Sequence, residues 1–373
     1  MQQNQTPPAQ RPPVFPLTVF TGFLGAGKTT LLNRLLRAPA LANCLVLVNE
    51  FGEIGLDHLL VEKVTGDSVV MTSGCLCCMI RGDLIATLED MLRARDNGRL
   101  AFDRVVIETT GLADPAPVLH TIMYHPYLML RFRLDGVVTL VDALHGEASL
   151  DRHPEAVKQA AVADRLVITK TDLLDADDLR LAALRARLAR LNPVALQIDA
   201  AEADAARLFN IGLYDPDKKA SDVRRWLNAE AIAEEHDDDH AHDVNRHDAK
   251  IRAFALRHTA PLSPAALDIF LELLRGTYGA HLLRVKGIVA LADDPARPLI
   301  IHGVKHVFHP PVRLEAWPDE DHATRIVFIL DDMEPAAIQS LWQSVADLPG
   351  VDTPDRAALL ENPLLPARSG LLG

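Results

Sequence analysis

The sequence predicts a doubly wound α/β domain with a mostly parallel sheet, followed by a smaller α+β domain. Three observations predict it. The 373 residues exceed one ordinary domain and suit two. In the first part, continuous runs of Val, Ile and Leu alternate with helical stretches, as strands buried on both faces of a parallel sheet do. In the last third, strand-like runs surround two helical patterns, which predicts an antiparallel sheet with helices on one face. Apolar residues make up 49% of the chain, enough for a sizeable core.

The elements follow in order. Residues 1–14 begin MQQNQTPPAQRPP, polar and proline-rich, and read as a disordered tail of polyproline-like conformation. A short apolar strand at 15–20 runs into a glycine-rich turn and then a helix with Leu31, Leu32, Leu35 and Leu36 on one face. CLVLVNE (44–50), DRVVIETTG (103–111), DGVVTLVDA (135–143) and DRLVITKTD (164–172) are the further buried-strand candidates. GDLIATLEDMLRARDNG (82–98) is helical in pattern, and the α/β domain spans 15–215. Residues 216–250 are polar, acidic and His-rich, and read as a linker that is helical at its start and loose after Glu234. The second domain spans 251–346. IRAFALRH (251–258) alternates like a half-buried strand, and SPAALDIFLELLRGTYG (263–279) carries a Ser cap, helical periodicity and a closing Gly. LLRVKGIVAL, PLIIHGV and TRIVFIL are strands, EPAAIQSLWQSV (334–345) is a helix, and 347–373 form a C-terminal tail. No internal repeat is visible.

Charge and hydropathy exclude several function classes. A formal charge of −13, with no Lys/Arg-rich run, speaks against a nucleic-acid partner, which needs a basic face. No apolar stretch approaches the ~20 residues needed to cross a bilayer. The start of the chain has no apolar h-region, so no signal peptide is expected and a cytoplasmic location follows by default. Of four cysteines, Cys75, Cys77 and Cys78 fall within four residues and cannot form a structural disulfide framework. Cys44 lies in the apolar run CLVLV and reads as a small core residue.

GFLGAGKT (22–29) fits the phosphate-binding pattern GxxxxGK[ST], in the required place after a strand and before a helix. Its glycines let the backbone curl so that several N–H groups point at phosphate oxygens, and the helix N-terminus adds partial positive charge. Gly22, Gly25, Ala26, Gly27, Lys28, Thr29 and Thr30 are the nucleotide-binding candidates here. Lys28 can reach the β- and γ-phosphates, and the Thr29 hydroxyl can ligate Mg²⁺.

Glu108, at the end of VVIETTG, can hold Mg²⁺ directly or through water, and the Gly111 N–H is placed to sense the γ-phosphate. Alone, Glu108 would read equally as a helix cap or a surface acid; the preceding phosphate loop favours the functional reading. With Lys28, these two are the catalytic candidates. Thr169-Lys170-Thr171-Asp172 follows another apolar strand and resembles the [NT]KxD element by which GTPases recognise their base. The Asp172 carboxylate would accept from the N1–H and N2–H₂ of guanine, and adenine would leave it unsatisfied. The aliphatic stem of Lys170 can cover the base. Thr169 stands where Asn is commoner and offers no amide.

GCLCC (74–78) is the most distinctive segment. Thiolates favour Zn²⁺ and related soft ions, and three can converge on one ion if the loop turns. They would leave a tetrahedral ion with an open fourth position, suited to exchange with a partner, whereas structural zinc sites are closed by four protein ligands. The blander readings are a redox loop or unligated buried thiols.

GFLGAGKTT, NEFGEIGLD, GCLCC, ETTGLADP and TKTD occur here in the order found in the CobW-like GTPases, which this chain resembles over roughly residues 15–345. These are metallochaperones of the same broad class as the urease and hydrogenase nickel-insertion GTPases. The resemblance implies that Cys75, Cys77 and Cys78 bind a transition metal, most often zinc and in some members cobalt. It implies that GTP binding and hydrolysis drive transfer of the ion to a client metalloprotein. NEFGEIGLD looks like a first switch segment. Within it, Glu50, Glu53 and Asp57 are candidates for contacting Mg²⁺ or relaying between nucleotide and metal, with Asp57 the magnesium candidate. Relatives often pair across the nucleotide, so a homodimer is implied, although no sequence feature requires one. The alternative in a different class is a zinc buffer or sensor in which GTP is structural or regulatory.

His236, His240, His242 and His247 lie among acidic residues in the linker. Imidazole and carboxylate could make a weak zinc or nickel reservoir, and a solvated acidic linker is the competing reading.

Overall fold

A computed structural model describes residues 12–49, 60–64, 68–73, 81–175, 178–211 and 250–346. The first part holds β1 (Phe15–Gly22), α1 (Lys28–Leu35), β2 (Cys44–Asn49), β3 (Leu60–Val64), β4 (Ser68–Ser73), α2 (Arg81–Asp96), β5 (Arg104–Glu108) and α3 (Ala116–Tyr124). It continues through α4 (Leu128–Arg131), β6 (Phe132–Asp142), α5 (Gly146–Arg152), α6 (Pro154–Ala161), β7 (Arg165–Thr169), α7 (Leu179–Leu191), β8 (Leu196–Asp199) and α8 (Ala205–Leu208). These strands form one sheet in the order β3-β4-β2-β5-β1-β6-β7-β8. All pairings are parallel except β3 with β4.

The predicted mostly parallel sheet is therefore present, and its central strands are buried along their length: Leu17, Val19, Val105, Val106, Ile107, Val137 and Val138 are fully inaccessible. Three strands go beyond the sequence reading. β3, β4 and β8 each carry polar residues within or beside the apolar run the reading relied on (Glu62 and Lys63 in β3, Ser68 and Thr72 in β4, Gln197 in β8). β6 also begins at Phe132, ahead of the predicted DGVVTLVDA. Cys44 opens β2 and is buried in the core, and burial pushes its thiol up to about 12, as suits a small inert core residue.

The second sheet contains β9 (Ile251–His258), β10 (Leu282–Val289), β11 (Leu299–Val304), β12 (Val307–Phe308), β13 (Val312–Arg313) and β14 (Thr324–Asp331), ordered β12-β11-β10-β14-β9 with β13 against β11. Its ladders are antiparallel. Helices α9 (Pro264–Tyr278) and α10 (Pro335–Ala346) cover one face, where Phe270, Leu274, Ile338 and Trp342 meet Val285, Val289, Ile326 and Phe328. The predicted Ser cap of α9 is formed: Ser263 Oγ accepts from the Ala266 N–H at 3.1 Å.

The other face of this sheet docks on the first domain. Alternation along β10 sends Val285 and Val289 to the helices and Arg284, Lys286 and Ile288 the opposite way. Ile288 joins Val194 of the first domain in one apolar cluster. Arg284 and Lys286 both reach Asp164, which precedes β7; Arg284 hydrogen-bonds to Oδ1, and Lys286 Nζ lies 2.8 Å from the same oxygen. Asp164 Oδ2 accepts from the Val137 N–H at 2.9 Å. Side-chain exposure is 1% for Arg284, 2% for Lys286 and 0% for Asp164, so the charges must pair or carry a desolvation cost. Burial works to raise the Asp164 carboxyl, but Arg284 and Lys286 hold it far below the usual carboxylate range. Burial brings Lys286 down to about 8 despite Asp164.

His302 on β11 and nearby His309 stand close to this cluster. Burial, then the Lys286 and Arg284 charges, press His302 well below its ordinary value. Burial and Arg284 take His309 to about 3. Both are therefore neutral in the folded protein, while the unfolded chain protonates them below about pH 6.5. Between those values the unfolded chain binds more protons, so stability is complete above pH 6.5 and falls as the pH drops. Urea unfolding at pH 7.5 and pH 5 is expected to show a loss of about 2 kcal/mol per histidine. The loss should shrink in a His302→Asn, His309→Asn double variant; equal losses in both proteins would overturn the assignment.

Candidate nucleotide site

β1 is central, with β5 on one side and β6 on the other, so the connections at the carboxyl ends of these strands leave in opposite directions and open a crevice. The loop between β1 and α1 fills this crevice. Gly22, Gly25 and Gly27 have φ of 143°, 73° and 84°, values that side chains with a Cβ rarely adopt. A Cβ on Gly22 would also lie 2.4 Å from the Leu140 carbonyl oxygen. The backbone curl that the sequence predicts is thus imposed by three left-handed or related glycines.

Lys28 opens α1 and folds back over the loop, its Nζ donating to the carbonyls of Gly22 at 2.8 Å and Phe23 at 3.1 Å. It is buried, and burial lowers its pKa while the Glu108 charge works to raise it. Thr29 Oγ1 donates to Glu108 Oε1 at 2.7 Å, joining the loop to the end of β5. A second hydroxyl bond ties β1 to the residue after β5: Thr109 Oγ1 donates to Thr21 Oγ1 at 2.8 Å, both groups fully buried. Thr30 is exposed on α1 beside them.

Gly111 packs directly on the loop. A Cβ there would stand 2.6 Å from the Leu24 nitrogen and 2.8 Å from its Cα. Only the missing side chain permits this approach. On its other side the Gly111 carbonyl accepts from Gln159 Nε2 at 3.1 Å, and the Ala113 carbonyl accepts from the same nitrogen at 2.9 Å.

The TKTD segment closes the far side. Thr169 ends β7 and is buried, its hydroxyl within 2.9 Å of the Ala26 carbonyl in the loop and 3.3 Å of the Val141 carbonyl. A Thr at this position thus reaches the phosphate loop through its hydroxyl, without an amide. Lys170 sits in the left-handed region at φ 61°, an uncommon conformation for a side-chain-bearing residue and one found at functional turns. Asp172 is exposed, and its carboxylate has no partner among the described residues.

Asp142 is a site residue that the sequence reading missed. It ends β6, its Oδ1 accepts from the Leu144 N–H at 2.8 Å, and its Oδ2 pairs with Lys170 Nζ at 2.5 Å. Burial works to raise this carboxyl, yet Lys170 and the Leu144 N–H hold it below its ordinary value. The signal was present: VVTLVD has the same form as VVIE before Glu108, an acid closing a buried strand. Gln159 was missed too, although a lone amide among Ala156, Val157, Ala160 and Ala161 on an apolar helix face marks it.

The structure thus brings Lys28, Thr29, Glu108, Gly111 and Thr169 together around one loop. The remaining sequence candidates, namely Glu50, Glu53, Asp57, the three cysteines Cys75, Cys77 and Cys78, and the histidines His236, His240, His242 and His247, lie outside the described residues. Among the described residues, no group of three or more His, Cys, Asp or Glu is placed to hold a metal ion, and no helix is long and apolar enough to cross a membrane. The Thr29 hydroxyl and Glu108 carboxylate are hard oxygen donors at hydrogen-bond distance from each other, a set that fits Mg²⁺.

The loop after Gly111 and the helix that follows it touch the second domain. Asp114 accepts from the Ala116 N–H at 2.9 Å and pairs with Lys305 at 2.8 Å. On α3, Tyr124 OH donates to the His306 carbonyl at 3.0 Å. The turn between β11 and β12 therefore rests against the loop that follows Glu108.

Comparison with known proteins completes this picture. Residues 16–199 match the family described as CobW/HypB/UreG, nucleotide-binding domain, and residues 251–346 match the Cobalamin synthesis protein cobW C-terminal domain. The chain is 32% identical over 315 residues to the Zinc chaperone YjiA of Escherichia coli, covering 84% of this chain and 93% of that one. It is 30% identical over 319 residues to the Zinc-regulated GTPase metalloprotein activator 1 of Schizosaccharomyces pombe, covering 79% of this chain and 76% of that one. The crystal structure of Zn(II)-bound YjiA GTPase from E. coli superposes with a TM-score of 0.67 at 28% identity, covering 89% of this chain and 99% of that one.

Proposed function

Because the chain belongs to the CobW/HypB/UreG family of nucleotide-binding domains joined to a CobW C-terminal domain, we propose that it is a GTP-hydrolysing metallochaperone that delivers zinc to a client metalloprotein. The observation that carries the reading is the loop with Lys28, Thr29 and Glu108 meeting over a helix N-terminus, in a chain whose relatives are named zinc chaperones.

In this reading the N–H groups of Gly25 to Thr30 cradle the phosphates, and the Lys28 ammonium exchanges the Gly22 and Phe23 carbonyls for phosphate oxygens. Thr29 and Glu108, together with Asp57, would hold Mg²⁺, which supplies neutralisation of phosphate charge. Asp172 accepts from the guanine edge, Lys170 covers the base, and Asp142 holds the Lys170 ammonium in place. Water attacks the γ-phosphorus, the bond to the β–γ bridging oxygen breaks, and GDP and phosphate leave. Positioning and charge carry this step, and no residue declares itself as a general base.

Cys75, Cys77 and Cys78 hold the Zn²⁺ cargo, or Co²⁺, with the fourth position open to the client. β2 ends where the NEFGEIGLD segment begins and β4 ends where the cysteine segment begins, and both strands run parallel to β1, so their carboxyl ends lie on the same side of the sheet as the phosphate loop. A γ-phosphate that orders one loop can therefore change the other. About 1.4 kcal/mol of coupling suffices for a tenfold change in zinc affinity, and the coupling is reciprocal.

A zinc competition titration without nucleotide, with GDP and with a non-hydrolysable GTP analogue tests it. Affinities differing tenfold or more between nucleotide states, with the difference lost on Cys77→Ser, are expected. Equal affinities would instead make the protein a zinc buffer or sensor with a structural nucleotide.

A further inference from the structure

Gln159 has no part in the reading above, yet it is the most deeply placed amide near the phosphate loop. It lies on α6 with no accessible surface, on the face that carries Val157, Ala160 and Ala161 into the core. It lines the same small cavity as Leu24, Ala26 and Asp142, directly beneath the loop. Its Nε2 donates to the Gly111 carbonyl at 3.1 Å and to the Ala113 carbonyl at 2.9 Å, so one nitrogen spends both protons on one turn. Its own main-chain carbonyl accepts from Thr139 Oγ1 at 2.7 Å, which ties the residue to β6. The next residue back, Lys158, pairs with Asp331 of the second domain at 3.1 Å, so the helix is held from both sides.

The acceptor end of the same amide is different. Gln159 Oε1 is buried and has no hydrogen-bond partner among the described residues. An unmatched buried acceptor is unfavourable, and an aliphatic side chain of similar size would avoid it. The fold tolerates it to keep the donor end. What the donor end does is restrain two carbonyls either side of Leu112, while Gly111 itself is pressed against the Leu24 backbone. The turn is clamped between the phosphate loop and α6.

We infer that Gln159 is a positioning residue for GTP hydrolysis, holding the Gly111–Ala113 turn so that its backbone meets the γ-phosphate. The inference rests on the reading of Gly111 as the γ-phosphate contact. GDP has no γ-phosphate, so the clamp should discriminate between the two nucleotides, which a general structural role would not do. Removing a group that only tightens a transition-state contact lowers kcat more than it weakens product binding.

The experiment uses the full chain and two variants, Gln159→Met and Gln159→Glu. Steady-state GTP hydrolysis gives kcat and KM, and fluorescence titrations give affinities for GDP and for a non-hydrolysable GTP analogue. Gln159→Met removes both donors at similar length. It is expected to lower kcat about tenfold to a hundredfold and to weaken the GTP analogue several-fold, with GDP affinity within about twofold of wild type. Gln159→Glu cannot donate when ionised and donates one hydrogen bond when protonated, so its kcat relative to wild type should rise as the pH falls from 8 to 6. Unchanged kcat in Gln159→Met, or equal weakening of GDP and the GTP analogue, would overturn the inference. If Gln159→Met does not fold, the pH dependence of Gln159→Glu decides, and a flat ratio to wild type would overturn it. A wild type that binds GTP without hydrolysing it would overturn the GTPase reading and with it the role in hydrolysis, while unequal weakening of GDP and the GTP analogue in the variants would still show that the clamped turn meets the γ-phosphate.

Discussion

Lys28→Met is expected to lower the kcat for GTP hydrolysis by about 10²–10³-fold while leaving the fold intact. The two halves of this result have one cause. In the structure the Lys28 ammonium is buried and, among the described residues, hydrogen-bonds only to two carbonyls of its own loop, at 2.8 and 3.1 Å. Burial lowers its pKa, which means that the fold bears a desolvation cost to keep the charge there. Glu108 offsets part of that cost by its charge. Replacing the ammonium with a thioether of similar reach removes the cost as well as the favourable contacts, so stability should change by less than about 1 kcal/mol. The loss is confined to the moment when phosphate oxygens would take the ammonium from the loop carbonyls. Stopped hydrolysis with an unchanged melting temperature is the expected pair of observations. A melting temperature lowered by many degrees would show that Lys28 chiefly holds the loop together. Unchanged hydrolysis would remove the β1–α1 loop from the active site.

Asp164→Ala is expected to cost about 3–5 kcal/mol and to loosen the second domain from the first. The carboxylate is the shared partner of two buried cations, Arg284 and Lys286, and its removal leaves both without it in a region of almost no exposure. Asp164 also caps the Val137 N–H, which would lose its acceptor. The converse variant separates pairing from packing. Asp164→Leu combined with Arg284→Met and Lys286→Met removes every charge of the cluster and should recover most of the lost stability. Calorimetry of the three proteins reads this directly. A cost below about 1 kcal/mol for Asp164→Ala would mean that the apolar contacts around Ile288 and Val194 hold the domains together and that the charges add little.

Several parts of the site were legible because their chemistry is local. A glycine-rich turn between an apolar strand and a helix can be read from spacing, and the structure shows Gly22, Gly25 and Gly27 in backbone conformations that demand glycine. Glu108 and Thr169 could be read because each closes a buried strand, and parallel strands of one sheet end on the same side. Asp142 had the same signal and was passed over, since its run continued into a helix with no motif attached. β3, β4 and β8 were not legible: they lie towards the sheet edges, where polar residues flank or interrupt the apolar pattern.

The sequence by itself determined the two architectures, the phosphate loop and the residues that line it, because periodicity and glycine placement act within a few residues of each other. Tertiary structure alone decided what the second domain's sheet does with its other face. Alternation along β10 shows that Arg284 and Lys286 point away from the helices, but only the fold supplies Asp164, more than a hundred residues earlier, as their partner. The same holds for Gln159 and Gly111, for Thr29 and Glu108, and for Asp114 and Lys305. A buried polar group must find a partner, and periodicity can reveal that it is buried without revealing which distant residue answers it.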